Sequence, residues 1–432
     1  MVGLWRAVVR VTALVSGTCI LPAAAQAQTA NFDHADTAWI LTSTALVLFM
    51  TLPGLALFYA GLVRTKNVLS VMMHCTVIAC LVSVLWLALG YSLAFDGEGA
   101  LIGGLGKVFL LSVHRDTLHG SIPETAFFMF QTTFAVITPA LIVGAYAERI
   151  RFGAVVVFSS LWLLLVYAPV AHWVWGGGWL MQRGVMDFAG GLVVHATAGT
   201  SALLIAYAVG KRDGFPKELR PPHNPGMTMM GAGMLWVGWY GFNAGSALAA
   251  DTNASMALLT THISASMAGL VWGLLEWRQF GRASMVGVVT GVVAGLATIT
   301  PASGYVGPLG ALVLGVSGAV ICFFAVDVIK HRLGVDDALD VFAVHGVGGI
   351  LGSFLVAFLA HTALGGVGYG EGTMGGQVII QLVGIAATVA WSAIATVFLI
   401  ALTKRLTGLR AREEELEEGL DLTYHGERAY TP

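Results

Sequence analysis

Two histidines stand at matched places in otherwise apolar stretches. His195 follows Asp187 by eight residues, and His345 follows Asp337 by the same eight. Ionisable side chains inside lipid are costly and mark functional positions. A neutral imidazole carries one donor and one acceptor nitrogen. Two facing rings can therefore share a proton along a line and offer their outer positions to a small polar guest. A dry site favours the neutral ring, which suits a small weak base or a relayed proton. Asp187 and Asp337 stand at helix starts, where a carboxylate caps the free N–H groups or draws a cation to a mouth. His74 and His262 also lie in apolar runs, but nothing pairs them, and they read as satisfied core residues.

Aromatic residues form the second group. Trp173, Trp175 and Trp179 flank Gly176-Gly177-Gly178. Trp173 and Trp179 suit an interfacial aromatic belt, whereas a Trp face also binds a small cation through its quadrupole. Phe130 and Phe134 are one helical turn apart, and Trp239, Phe242 and Ser246 share one helix face. Gln131, Asn243 and Ser246 make these helices partly polar, as a lumen requires. Cys75, Cys80 and Cys322 lie in apolar runs and, like Cys19, read as small buried apolar residues rather than as a disulfide framework. The sequence has no zinc motif, nucleophile elbow or paired catalytic acids, so neither an enzyme nor a cofactor is expected.

The elements that must carry these residues are membrane helices. The chain has 432 residues, 57% of them hydrophobic and 11% charged, so its solvent is lipid. Arg6 and Arg10, the apolar stretch 11–24 and Ala25-Gln26-Ala27 read as a signal peptide over 1–27. A membrane domain over 28–404 and a cytoplasmic tail over 405–432 follow. Runs of about 20 apolar residues, the length that spans a bilayer, lie near 37–62, 68–95, 124–147, 152–174, 189–210, 226–249, 253–276, 284–302, 305–329, 340–361 and 376–403. Of 22 Lys and Arg, 17 fall after odd-numbered runs and only Lys107, Arg115 and Arg183 after even ones. That asymmetry predicts eleven spans with the N-terminus out and the C-terminus in.

Three pairs of segments recur in order. Phe58-Tyr59-Ala60-Gly61 resembles Phe242-Asn243-Ala244-Gly245, Ile137-Thr138-Pro139-Ala140 repeats as Ile299-Thr300-Pro301-Ala302, and the Asp187/His195 pair mirrors Asp337/His345. The runs pair one with six, three with eight and five with ten. The unit is therefore five helices, and an odd number inverts the second copy, giving a five-plus-five inverted repeat plus an eleventh helix. Such repeats place a conduction site at their interface near the midplane. Eight residues reach about 12 Å into the membrane. Counted from opposite faces of a ~30 Å core, the two histidines would stand about 6 Å apart in depth, a gap that tilt or a buried helix start closes.

The stretch Asp187 to His195, followed by Ala198-Gly199, resembles the signature of the Amt ammonium transporters, within the wider Amt/Mep/Rh family. Phe242 to Ser246, Asp340 to Gly346, and the tail residues Glu418 to Asp421 and His425 to Glu427 resemble further family blocks, and the likeness covers nearly all of 36–430. The resemblance implies a homotrimer in the cell inner membrane with one pore per subunit, taking up ammonium or ammonia. It implies an outer ammonium site of Trp175, Phe134 and Ser246, a gate of Phe134 and Phe242, and pore-lining twin histidines, His195 and His345. Asp187, Trp239, Gln131 and Thr300 would support them. Ammonium would leave its proton near the gate, because an ion crosses a hydrophobic passage at high cost. The tail pattern is similar to that of members blocked by a cytoplasmic PII signal protein; its glutamates, Glu413, Glu414, Glu415, Glu417 and Glu418, otherwise suit a solvated helix. An Rh-type gas channel, which would weaken the outer site, and an ammonium sensor, which would carry a further domain, are the competing readings.

Overall fold

The computed structural model describes residues 32–218 and 221–430; the signal peptide reading lies outside them. Each of the eleven apolar runs contains a helix: α1 (His34–Leu62), α2 (Thr65–Phe95), α3 (Glu124–Tyr146), α4 (Phe152–Gln182), α5 (Gly191–Val209), α6 (Pro225–Gly245), α7 (Thr252–Phe280), α8 (Met285–Ile299), α9 (Pro308–Arg332), α10 (Phe342–Leu359) and α11 (Met374–Thr407). Among the described residues, nine of these are long and apolar enough to cross a membrane. The other two differ for separate reasons. α6 spans 21 residues but is diluted by glycine, tryptophan and tyrosine. α8 has only 15 residues and stops at Thr300-Pro301. Helix starts carry their own caps: the Asp33 carboxylate accepts from the N–H of Ala35 and Asp36, Asn224 from Met227, Asp251 from Ala254, and Ser284 from Gly287.

α3 sits at the centre, its residues buried almost throughout. α11 lies at the periphery and is amphipathic in the sense opposite to a soluble helix. Its buried stripe is mostly polar, Gln377, Gln381, Thr388, Ser392, Thr396 and Thr403 with Gly384 and Leu399, and its exposed side is Ile379, Leu382, Ile394, Val397 and Phe398. Only an apolar solvent favours that arrangement. Several crossings are tight enough to exclude any side chain, and two of them bear on the repeat. A Cβ at Gly231 of α6 would lie 2.2 Å from the Phe58 nitrogen of α1, and a Cβ at Gly199 of α5 would lie 2.2 Å from the Gly346 Cα of α10. Small residues bring membrane helices this close, and these crossings join run one to six and five to ten.

The tail forms two short helices, Glu413–Glu418 and Leu420–His425. The first suits the solvated reading, but the second does not. Leu420 and Asp421 are buried, and the Asp421 carboxylate accepts from the N–H groups of Leu69 and Ser70 at 3.0 and 2.6 Å, at the start of α2. Three further expectations are corrected. Cys80 is exposed, whereas Cys75 and Cys322 are buried. His262 is exposed and meets the Tyr240 hydroxyl at 2.7 Å. His74 is buried, but its ring nitrogens find no partner among the described residues. An apolar run does not say which face of its helix turns outward, and that is where the core reading of Cys80 and His262 failed.

Candidate functional site

α5 and α10 both begin with a wide π-helical turn, Gly191–Ala196 and Phe342–Gly346, and each turn carries one of the matched histidines. Such turns recur at functional sites. The first is prepared by Gly190, whose φ of 113° disfavours any side chain and whose Cβ would strike Val194 at 2.7 Å. The Asp187 carboxylate then gathers the free N–H groups of Gly190, Gly191, Leu192 and Val193. It is thus the cap of α5, and its main-chain oxygen accepts from the Trp175 indole at 2.9 Å. Asp337 caps α10 more sparingly: Oδ2 accepts from Phe342 at 2.7 Å, and Oδ1 has no partner among the described residues.

The two imidazoles meet. His195 Nδ1 lies 3.3 Å from His345 Nδ1, with ring centroids 5.2 Å apart and planes inclined by 26°. Both rings are buried. Thr300, at the end of α8, lies 3.3 Å from His195 Nε2 and accepts from the Trp239 indole at 2.9 Å. Trp239 also stacks on His195 at 5.5 Å. Beyond it, Phe242 and Phe134 stack face to face at 4.2 Å, and Trp175 meets Phe134 edge-on at 5.8 Å. Ser246 lies one turn past Phe242, half-buried, its hydroxyl donating to Phe242 O. Gln131 is buried on α3, its side-chain oxygen without a partner among the described residues. Trp173, expected in an aromatic belt, is buried instead and donates to Leu101 O at 2.6 Å.

A cavity of about 10 Å³ touches Phe242, Trp239, His195 and His345, and its other walls are apolar, among them Leu141, Val194 and Val293. That volume admits roughly one molecule the size of water. A second cavity, of about 370 Å³, reaches His345 from the end of the molecule that carries the tail. Arg64, Glu148 and Arg212 in its wall belong to an ion-pair cluster. Arg64 Nε lies 2.8 Å from Glu148, Arg212 joins Glu148 to Asp336, and Arg149 lies 2.9 Å from Asp336. Burial alone would raise the Glu148 carboxyl, but Arg64 and Arg212 hold it below its ordinary value; Asp336 is lowered likewise, by Arg212 and Arg149 against its burial. Asn67 donates to Glu148 and accepts from the Leu420 N–H, tying this cluster to the tail. The charge count treated Arg64, Arg149 and Arg212 only as orientation signals. Glu148 and Asp336, standing in short loops beside them, were the available sign of pairing.

The sequence profile of the Ammonium Transporter Family matches residues 38–430. The ammonium transporter of Bacillus subtilis (strain 168) is 45% identical over 403 residues, covering 91% of this chain and 98% of its own. The ammonium transporter Amt1 of Archaeoglobus fulgidus is 41% identical over 398 residues, covering 91% and 98%. The crystal structure of Candida albicans Mep2 superposes with a TM-score of 0.82 at 36% identity, over 89% of this chain and 88% of that one. By this likeness along almost its whole length, the chain belongs to the ammonium transporter family.

Proposed function

We propose that the protein takes up ammonium across the cell inner membrane and conducts it as ammonia past His195 and His345. The observation that carries this reading is the meeting of two buried imidazoles, nitrogen to nitrogen at 3.3 Å, beside a cavity of one-molecule size. Ammonium is recruited by the face of Trp175 with Phe134 and Ser246. Phe134 and Phe242 form the gate. A charge at mid-membrane costs about 3 kcal/mol or more, so the proton is given up before the apolar passage, and neutral ammonia hydrogen-bonds to the imidazoles. Potassium has neither a proton to yield nor a hydrogen to donate. Asp187 shapes the outer site by capping α5 and holding Trp175, and Trp239, Gln131 and Thr300 support the pore.

The same reading takes the eleven helices as spans in a five-plus-five inverted repeat plus one, N-terminus out and C-terminus in, with 1–27 a cleaved signal peptide, 28–404 the membrane domain and 405–432 the regulatory tail. The tight glycine crossings of α1 with α6 and α5 with α10 support that repeat. Assembly is a homotrimer, and a PII signal protein docks at the tail face. Uptake of labelled methylammonium into proteoliposomes, recorded together with current, tests the proposal. Saturable uptake excluding potassium is expected, and liposomes no more permeable than empty ones would overturn it.

A further inference from the structure

We infer that Thr300 is a positioning residue that decides which nitrogens of the imidazole pair carry hydrogen. The inference rests on the pore reading above. A threonine hydroxyl has one hydrogen and two lone pairs, and an indole N–H only donates. The Trp239 indole, at 2.9 Å, therefore occupies one Thr300 lone pair. The hydroxyl hydrogen has two candidate acceptors, Leu296 O at 2.7 Å and His195 Nε2 at 3.3 Å. The shorter contact is the usual back-bond of a helical threonine to the carbonyl four residues earlier. With the hydrogen spent there, Thr300 meets His195 Nε2 with its second lone pair, and Nε2 must donate.

The rest follows along the line. A neutral ring has a single N–H, so His195 Nδ1 is bare and accepts. Its partner at 3.3 Å, His345 Nδ1, is then the donor. His345 Nε2 is left bare, with no hydrogen-bond partner among the described residues, on a ring that borders both cavities.

The two halves of the repeat do not share this device. Thr138 is the counterpart of Thr300 and makes the same back-bond, to Phe134 O, but it touches neither histidine. The residue matching Trp239, three before Phe58, is Leu55, which has no N–H to offer. One half therefore supplies the hydroxyl and the indole, and the other supplies neither. A pair that sequence symmetry would leave free to point either way is given one direction. An ammonia molecule, with three N–H groups, finds its acceptor at His345, while both nitrogens of His195 are already engaged.

The test is the solid-state 15N spectrum of histidine-labelled full-length protein in lipid bilayers, where bare and protonated ring nitrogens resonate apart. His195 is expected as the Nε2–H form and His345 as the Nδ1–H form, each as one signal. Thr300→Val should give two His195 forms in place of one and lower methylammonium uptake several-fold, and Thr300→Ser should restore both. A wild-type His195 in the Nδ1–H form overturns the inference, as does a Thr300→Val spectrum identical to the wild type. The spectrum needs no flux. The expected tautomers in a protein that moves no methylammonium would sink the transport reading and leave the role of Thr300 standing.

Discussion

Gly199→Ala probes how the imidazole pair is held. The added Cβ would lie 2.2 Å from the Gly346 Cα and 2.4 Å from the Gly346 nitrogen. Carbon atoms rest in contact at about 3.5 Å or more, so α5 and α10 must separate by roughly 1.3 Å at a point one turn from His195 and next to His345. No flexible side chain stands between the two backbones to absorb the change. The Nδ1–Nδ1 contact is already 3.3 Å, and about 0.3 Å more ends a hydrogen bond, so transmission of a quarter of the displacement breaks the pair. Overpacking of this kind costs about 1–3 kcal/mol, which leaves a folded protein to assay. Methylammonium uptake in proteoliposomes should fall at least tenfold, and the 15N signals of the pair should lose their coupling to one another. Gly233→Ala on α6 is the matched control, because a Cβ there meets nothing within 4 Å. Wild-type uptake by well-folded Gly199→Ala protein would refute the claim that the crossing sets the histidine contact.

Three other perturbations separate the parts of the molecule. On the proposed reading Trp175→Leu removes a cation-binding face worth about 2 kcal/mol when desolvated, so half-saturation should rise about thirtyfold; an unchanged value rules out recruitment by Trp175. Asp421→Ala deletes the cap that the tail places on α2, a contact worth about 1 kcal/mol. Proteolysis near Arg412 and Arg428 should quicken several-fold, and equal rates would mean that Asp421 does not hold the tail. Glu148→Gln tests the ion cluster through pH. Because Arg64 and Arg212 lower the folded carboxyl from its ordinary 4.5, its stabilisation is complete above that value and lost as pH falls through the lower one. The stability gap between wild type and variant, about 2 kcal/mol, should be constant from pH 7 to pH 5 and shrink below pH 4; a gap that widens in acid contradicts the pairing.

The helices are legible in the sequence because lipid demands long apolar runs, and that signal survives even where α6 and α8 fall short of a full apolar span. The site residues are legible for a different reason: buried histidines, and the Asp that opens each of their helices, are rare in such runs and recur at equal spacing. Less was legible where partners are distant in sequence. Loop carboxylates such as Glu148 and Asp336 hint at pairing, but nothing in the chain says that Arg212 is what joins them, or that Asp421 caps a helix some 350 positions earlier. Facing was also hidden, which is why the exposed His262 and the buried Trp173 were both read the wrong way round.

The depth of the histidines shows how local geometry completes what spacing begins. Eight residues from a helix start at each membrane face leave the rings about 6 Å apart across a ~30 Å core. The structure brings the rings together with α5 and α10 starting only at Gly191 and Phe342, four and three residues before the histidines. Asp187 and Asp337 are both buried, and moving each start inward by roughly 3 Å is enough to bring the rings to one level. A buried start leaves helix N–H groups without water, which is costly unless they are capped. That is why Asp187 spends its carboxylate on four of them rather than facing a cation directly. The carboxylate that sequence reading offered as an attractor for cations is consumed in placing the imidazole, and on the proposed reading the attraction passes to Trp175, whose indole its main-chain oxygen holds.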